Sequence, residues 1–119
     1  MMPSGIAIYK PGDLILVPFP FSNKLQAKVR PVVIVSIESY NRYAGDVVVC
    51  GVTSKLKPMR FAIQIDQSNL SSGLLKAPSK IKVDAIASVE KSIIIKSIGR
   101  LNKATLDKVK DLLRTLFAL

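Results

Sequence analysis

Histidine and tryptophan are absent from the 119 residues, and cysteine occurs once, at Cys50. Without imidazole there is no histidine acid–base pair, no Ser–His triad and no histidine-ligated zinc. With a single thiol besides, a structural zinc site has almost no ligands. Neither a metal nor an organic cofactor is therefore expected. One cysteine also rules out an intramolecular disulfide, which fits a reducing compartment. Cys50 lies in "VVVCGV", where no sequence neighbour would depress its pKa, so an inert buried thiol is expected rather than a nucleophile. Acidic residues are scarce: eight Asp and Glu stand against eighteen Lys and Arg, a net charge of +10. Such an excess attracts phosphate polymers or an acidic protein partner; the alternative is a basic but inert surface. Long apolar runs are missing too. The stretch from 47 to 52 falls far short of the roughly 20 residues of a membrane-spanning helix. The start, "MMPSGIAIYKPGD", has no basic region ahead of a long apolar core, so no secretory signal is read and a cytoplasmic protein is expected.

What is present suggests one β-rich domain over residues 1–119. Hydrophobic residues make up 49%, enough for a core, and seven prolines with six glycines favour many short elements. Residues 9–13, "YKPGD", read as a turn. A strand follows over 14–21, where Pro18 and Pro20 force an edge or an exit from the sheet. Residues 22–28 form a polar, basic loop. "RPVVIVS" is a strand with Pro31 at its start, and "IESYNRYAG" is a connector ending in Gly45. Residues 46–54, "DVVVCGVTS", are apolar on both faces and so predict a central strand, with Gly51 marking a bulge or a close backbone approach. After a second basic loop, 55–60, "FAIQID" alternates as a half-buried strand. "QSNLSSGLLKAPS" reads as a loop with a turn at Gly73. In "KIKVDAIASVE", Ile81, Val83 and Ala85 point one way and Lys80, Lys82 and Asp84 the other. "SIIIKSIGRL" is a short strand ending near Gly99. The apolar period then becomes helical, from Leu106 to Phe117, with Asn102 as N-cap and a role covering one face of a sheet. Five or six short strands with one terminal helix predict antiparallel pairing in a small, partly closed barrel.

Polar residues at the strand ends suggest chemistry. Arg30 opens one strand; Thr53 and Ser54 close the next. If these strands are antiparallel neighbours, Arg30 lies near Thr53. A guanidinium fork matches phosphate oxygens, and a hydroxyl beside it adds a rotatable donor or acceptor. Strand-terminal Arg and Thr are also commonly just solvated. Lys82 and Asp84 occupy the solvent face of a later strand. Lys24 and Lys28 in the first loop, and Lys55, Lys57 and Arg60 in the second, flank the same rim, where they can track a phosphate backbone. Tyr40 and Tyr43 either stack on bases or anchor their connector.

The segments "KPGDLILVPFPFS", "KVRPVVIVS", "DVVVCGVTS", "GLLKAPSKIKVDAI" and "IGRL", in this order and spacing, resemble the MazF/PemK family of toxin ribonucleases, from about Lys10 to the terminal helix. The resemblance implies an SH3-like antiparallel barrel with a C-terminal helix, usually a homodimer. It implies metal-independent cleavage of single-stranded RNA and neutralisation by a cognate antitoxin with an acidic tail. It assigns Arg30 of "RP" and Thr53 to the family's two recurrent active-site positions. It maps the basic residue and carboxylate of a later strand onto Lys82 and Asp84, with Asp84 the base candidate. Lys28, Ser54, Lys55, Lys57 and Lys82 are expected to contact substrate. Where the family often has "RTID", this chain has "ASVE", residues 87–90, which removes a cation. Three rivals stand beside the nuclease. A generic SH3-like adaptor would favour an aromatic-lined groove, against which 6% aromatics and no Trp argue. A CcdB-like gyrase poison would not need the Arg30–Thr53 pair. An inactive member would keep only antitoxin or nucleic-acid binding.

Overall fold

The computed structural model describes residues 8–19 and 28–119. Pro20, Lys24 and the rest of the first basic loop up to residue 27 lie outside the described residues. Among the described residues seven strands form one antiparallel sheet, one or two more than the sequence predicts. They are β1 (Asp13–Phe19), β2 (Lys28–Ile34), β3 (Asp46–Thr53), β4 (Ala62–Ile65), β5 (Leu70–Gly73), β6 (Ser79–Glu90) and β7 (Lys96–Leu101). The same residues hold the helices α1 (Glu38–Tyr43) and α2 (Lys103–Phe117). The order β4-β6-β3-β2-β1-β7-β5 puts β3 and β2 at the centre, as their two-sided apolar pattern requires, and curls the sheet into a half-barrel.

Alternation sorts the central strands into two cores, one on each face. Leu14, Val33, Cys50, Val52, Ile81 and Val83 pack on one side, where α2 contributes Val109. Ile15, Val17, Val32, Ile34, Val47, Val49 and Val89 pack on the other, with Ile93 and Ile94 against them. The terminal helix begins as expected: the Asn102 side chain accepts from the Thr105 N–H at 2.9 Å. Pro18 is accommodated because β7 pairs with β1 only as far as Leu16, so no β7 ladder is left there for it to break.

Three segments differ from the sequence reading. The connector after β2 contains α1, six residues with no side-chain cap. It is fixed instead by Asn41, which is buried. The Asn41 amide donates to Tyr9 O (3.0 Å) and Ser36 O (2.8 Å), while its carbonyl oxygen accepts from the Ser36 hydroxyl. The expected loop around Gly73 contains an edge strand, β5, paired with β7. Gly73 has φ +87°, and a Cβ there would stand 2.1 Å from Ile98 O, so the two backbones meet where no side chain fits. The last predicted strand starts later, at Lys96, because residues 91–93 form a 3-10 turn.

The largest irregularity is in β6. Its ladder with β3 steps from Cys50↔Ile86 to Gly51↔Lys82, so Val83, Asp84 and Ala85 have no opposite number. This bulge shifts the alternation by one. Ile81 and Val83 face the α2 side, as predicted, but Ala85 does not join them; it turns to the opposite face, where Ala87 and Val89 also lie.

Candidate functional site

Pro31 is where β2 loses one of its neighbours. It has no N–H to donate, and the β2–β3 ladder begins only at Val32↔Gly51. Pairing with β1 continues, Val17↔Arg30 through Phe19↔Lys28, so the Arg30 backbone stays in a ladder on one side. Continuing the β2–β3 register two residues past its last pair sets Arg30 opposite Thr53. Both side chains then share the face of Val32, Val49 and Gly51.

That face opens there into a cavity of about 530 Å³. Its rim carries Arg30, Thr53, Lys55, Lys57 and Lys82; its floor is apolar, formed by Val32, Val49, Gly51, Ala85 and Ala87. Among the described residues four cations line it and no carboxylate does. Arg30 and Lys82 are exposed, and among the described residues no carboxylate lies in ion-pair range of either. The Thr53 oxygen accepts from the Lys55 N–H at 3.2 Å, which orients the hydroxyl and leaves its own proton for another acceptor.

The loop bearing Lys55 and Lys57 is tied down by a residue to which the sequence reading gave no role. Lys80, paired with Thr53 across the β3–β6 ladder, donates from Nζ to Lys57 O at 2.9 Å. Its place two residues before Lys82 put it on the right face, but nothing local signalled the tether. Met59 and Ile86, which complete the walls, carried no signal either. Arg60 turns away to stack on Phe61, its guanidinium carbon 5.3 Å from the ring centroid.

Other expected residues lie apart. Lys28 is exposed two residues beyond Arg30 and Ser54 is exposed just after Thr53; neither lines the cavity. Asp84, in the bulge, is exposed and is also outside the lining. Its charge is felt by Cys50: burial first, and Asp84 second, push that thiol up to about 12. The Cys50 Sγ donates to Val83 O at 3.4 Å on the face opposite the cavity, so it stays a protonated core residue. Tyr43 is 85% exposed on α1, and neither Tyr40 nor Tyr43 lines the cavity. Among the described residues no helix is long and apolar enough to cross a membrane.

Solved structures share this fold. A mycobacterial endoribonuclease in complex with its cognate antitoxin aligns with a TM-score of 0.74 over 96% of this chain and 97% of that one, at 20% identity. A chain of the MazE–MazF complex (form II) from Deinococcus radiodurans gives 0.77 over 96% and 99%, at 22% identity. The Mycobacterium tuberculosis toxin MazF-mt6 gives 0.73 over 90% and 97%, at 19% identity. No curated protein matches the sequence significantly. The family model of the PemK-like, MazF-like toxins of type II toxin–antitoxin systems matches residues 10–117. With residues 10–117 matched by that model, nearly its whole length, the chain belongs to this toxin family.

Proposed function

We propose that this toxin is a metal-independent endoribonuclease that cleaves single-stranded RNA. The observation that carries the reading is that Arg30 and Thr53, each two residues past the last β2–β3 pair, line the rim of one cationic cavity. The 2′-oxygen of a ribose attacks the adjacent phosphorus and gives up its proton. The bond from phosphorus to the 5′-oxygen breaks, and that oxygen takes a proton. A 2′,3′-cyclic phosphate and a 5′-OH end result. Arg30 suits the charge that builds on the phosphorane and on the leaving oxygen. A guanidinium keeps its protons and makes a poor base, so its role is electrostatic. Thr53, oriented by the Lys55 N–H, donates to a phosphate oxygen. Lys55, Lys57 and Lys82 hold the flanking backbone, with Lys28 and Ser54 extending the track beyond the cavity.

Asp84 is the base in this scheme. The role requires its carboxylate to reach the 2′-OH once RNA is bound. Asp84→Asn then lowers kcat by about 10² or more, and an unchanged rate removes it. The net charge of +10 suits an antitoxin with an acidic tail, and the fold's relatives in complex with antitoxins support the same pairing. A homodimer acting in the cytoplasm completes the reading.

The test is incubation of the purified protein with a long, structure-poor RNA in EDTA, beside Arg30→Ala. Cleavage at a few repeated short sequences, leaving cyclic phosphate ends and lost in the variant, is the expected result. An RNA left intact by both proteins overturns the proposal and favours a binding toxin of the gyrase-poison kind.

A further inference from the structure

The lining of the cavity changes character with depth. Its rim is cationic, yet its floor carries no side-chain hydrogen-bonding group: Val32, Val49, Gly51, Ala85 and Ala87 are aliphatic or bare. A site that only gripped phosphates would gain nothing from such a floor, because phosphate oxygens are not stabilised by aliphatic surface. An apolar floor under a charged rim matches a nucleotide, whose base offers an apolar face one sugar away from its phosphate. The volume of about 530 Å³ falls within the usual range for small-ligand pockets, roughly 300–1,000 Å³.

The floor is also shaped by small residues at one place. The three-residue bulge in β6 swings Ala85 toward β3, and a Cβ on Gly51 would stand 3.6 Å from the Ala85 Cβ. Only methyl groups and a glycine border this part of the cavity, so it stays open as a slot. Any larger side chain at 85 or 87 would fill it. Among the described residues no aromatic ring lines the cavity, and the surface they offer a base is aliphatic strand.

We infer that this floor is a seat for one nucleobase, that of a nucleotide adjoining the cleaved phosphate, and that Ala85 and Ala87 are specificity-determining residues. The inference rests on the ribonuclease reading and deepens it: the rim holds the backbone, and the slot limits which base can lie beside the scissile bond. An acidic peptide with one apolar side chain is the rival occupant. RNA is favoured because the floor is continuous with Arg30 and Thr53, so a phosphate held there leaves its own base within reach of the slot.

The experiment measures binding of a fluorescent single-stranded oligoribonucleotide, made uncleavable by 2′-deoxy substitution at the cut site. The probe is used intact and with an abasic site scanned along it. One abasic position weakens binding to the wild type by about tenfold, as expected for losing one buried apolar ring face. Ala87→Leu weakens the intact probe by a similar factor and becomes insensitive to that abasic position, with its salt dependence unchanged because the phosphate contacts remain. Ala85→Leu, on the cavity side beside Gly51, gives the same pattern if Ala87→Leu folds poorly by circular dichroism. Equal abasic sensitivity in wild type and variants overturns the seat and leaves the nuclease reading intact. So does unchanged RNA binding by Ala87→Leu with loss of an acidic, leucine-containing peptide. Failure of the wild type to bind any probe overturns the nuclease reading, and the seat with it.

Discussion

If Arg30 and Thr53 act on one phosphate, their removal must be coupled, and the coupling is measurable. Arg30 is exposed, so Arg30→Ala should change stability by no more than about 0.5 kcal/mol. Its cost in catalysis is that of one charge-stabilising donor, on the order of 10² to 10³ in kcat, or roughly 2.7–4 kcal/mol. Thr53→Val keeps the branched shape at the end of β3 and deletes only the hydroxyl. The Lys55 N–H that it leaves behind is solvent-accessible, so the fold loses little. A hydrogen bond to a charged group is worth about 1.5–3 kcal/mol, which predicts a loss of roughly 10- to 150-fold. Independent effects would multiply in the double variant, to somewhere between 10³ and 10⁵. Convergence on one anion makes the second substitution cheaper, by a coupling energy of about 0.5–3 kcal/mol. The assay is single-turnover cleavage of a short fluorescent RNA in EDTA, with thermal unfolding of all four proteins as control. Losses that multiply to within twofold, or a Thr53→Val protein that cleaves at the wild-type rate, would refute the shared-anion geometry.

Loosening the second basic loop should act on binding more than on chemistry: Lys80→Met removes the bond to Lys57 O and should raise KM several-fold while kcat changes little, with Lys80→Arg restoring part of the loss. Gly73→Ala should lower the melting temperature by at least about 4 °C, because it combines a left-handed backbone with a Cβ 2.1 Å from Ile98 O. Gly45→Ala, where nothing lies within 4 Å, should stay within about 0.5 kcal/mol of the parent. Cys50, raised to about 12, should resist alkylation in the folded protein at pH 8 and react fully in denaturant. Rapid labelling of the native state would contradict its burial.

How far the sequence revealed this protein depended on how local each signal was. The two-sided apolar run of β3 and the helical period of α2 are written in consecutive residues, and both stand where expected. The facing of Arg30 and Thr53 needed only the further assumption that β2 and β3 pair antiparallel. What was not legible depends on partners far along the chain. β5 is short, polar and glycine-ended, and is a strand only because β7 accepts it through a glycine-to-glycine contact. α1 is six residues long, too short to show a period, and owes its place to Asn41 reaching back to Tyr9. Strict alternation put Asp84 on the face of Lys82. The bulge, which no composition rule announces, interrupts that alternation and leaves Asp84 outside the cavity lining.

The bulge also separates two demands that a small sheet usually imposes on the same residues. On either side of it β6 pairs regularly with β3, so the cores on both faces depend little on positions 83 to 85 apart from Val83 itself. Ala85 can therefore be exchanged or lengthened without asking the rest of the sheet to repack. A lineage carrying this scaffold can revise its choice of target by editing a position that foldability scarcely monitors.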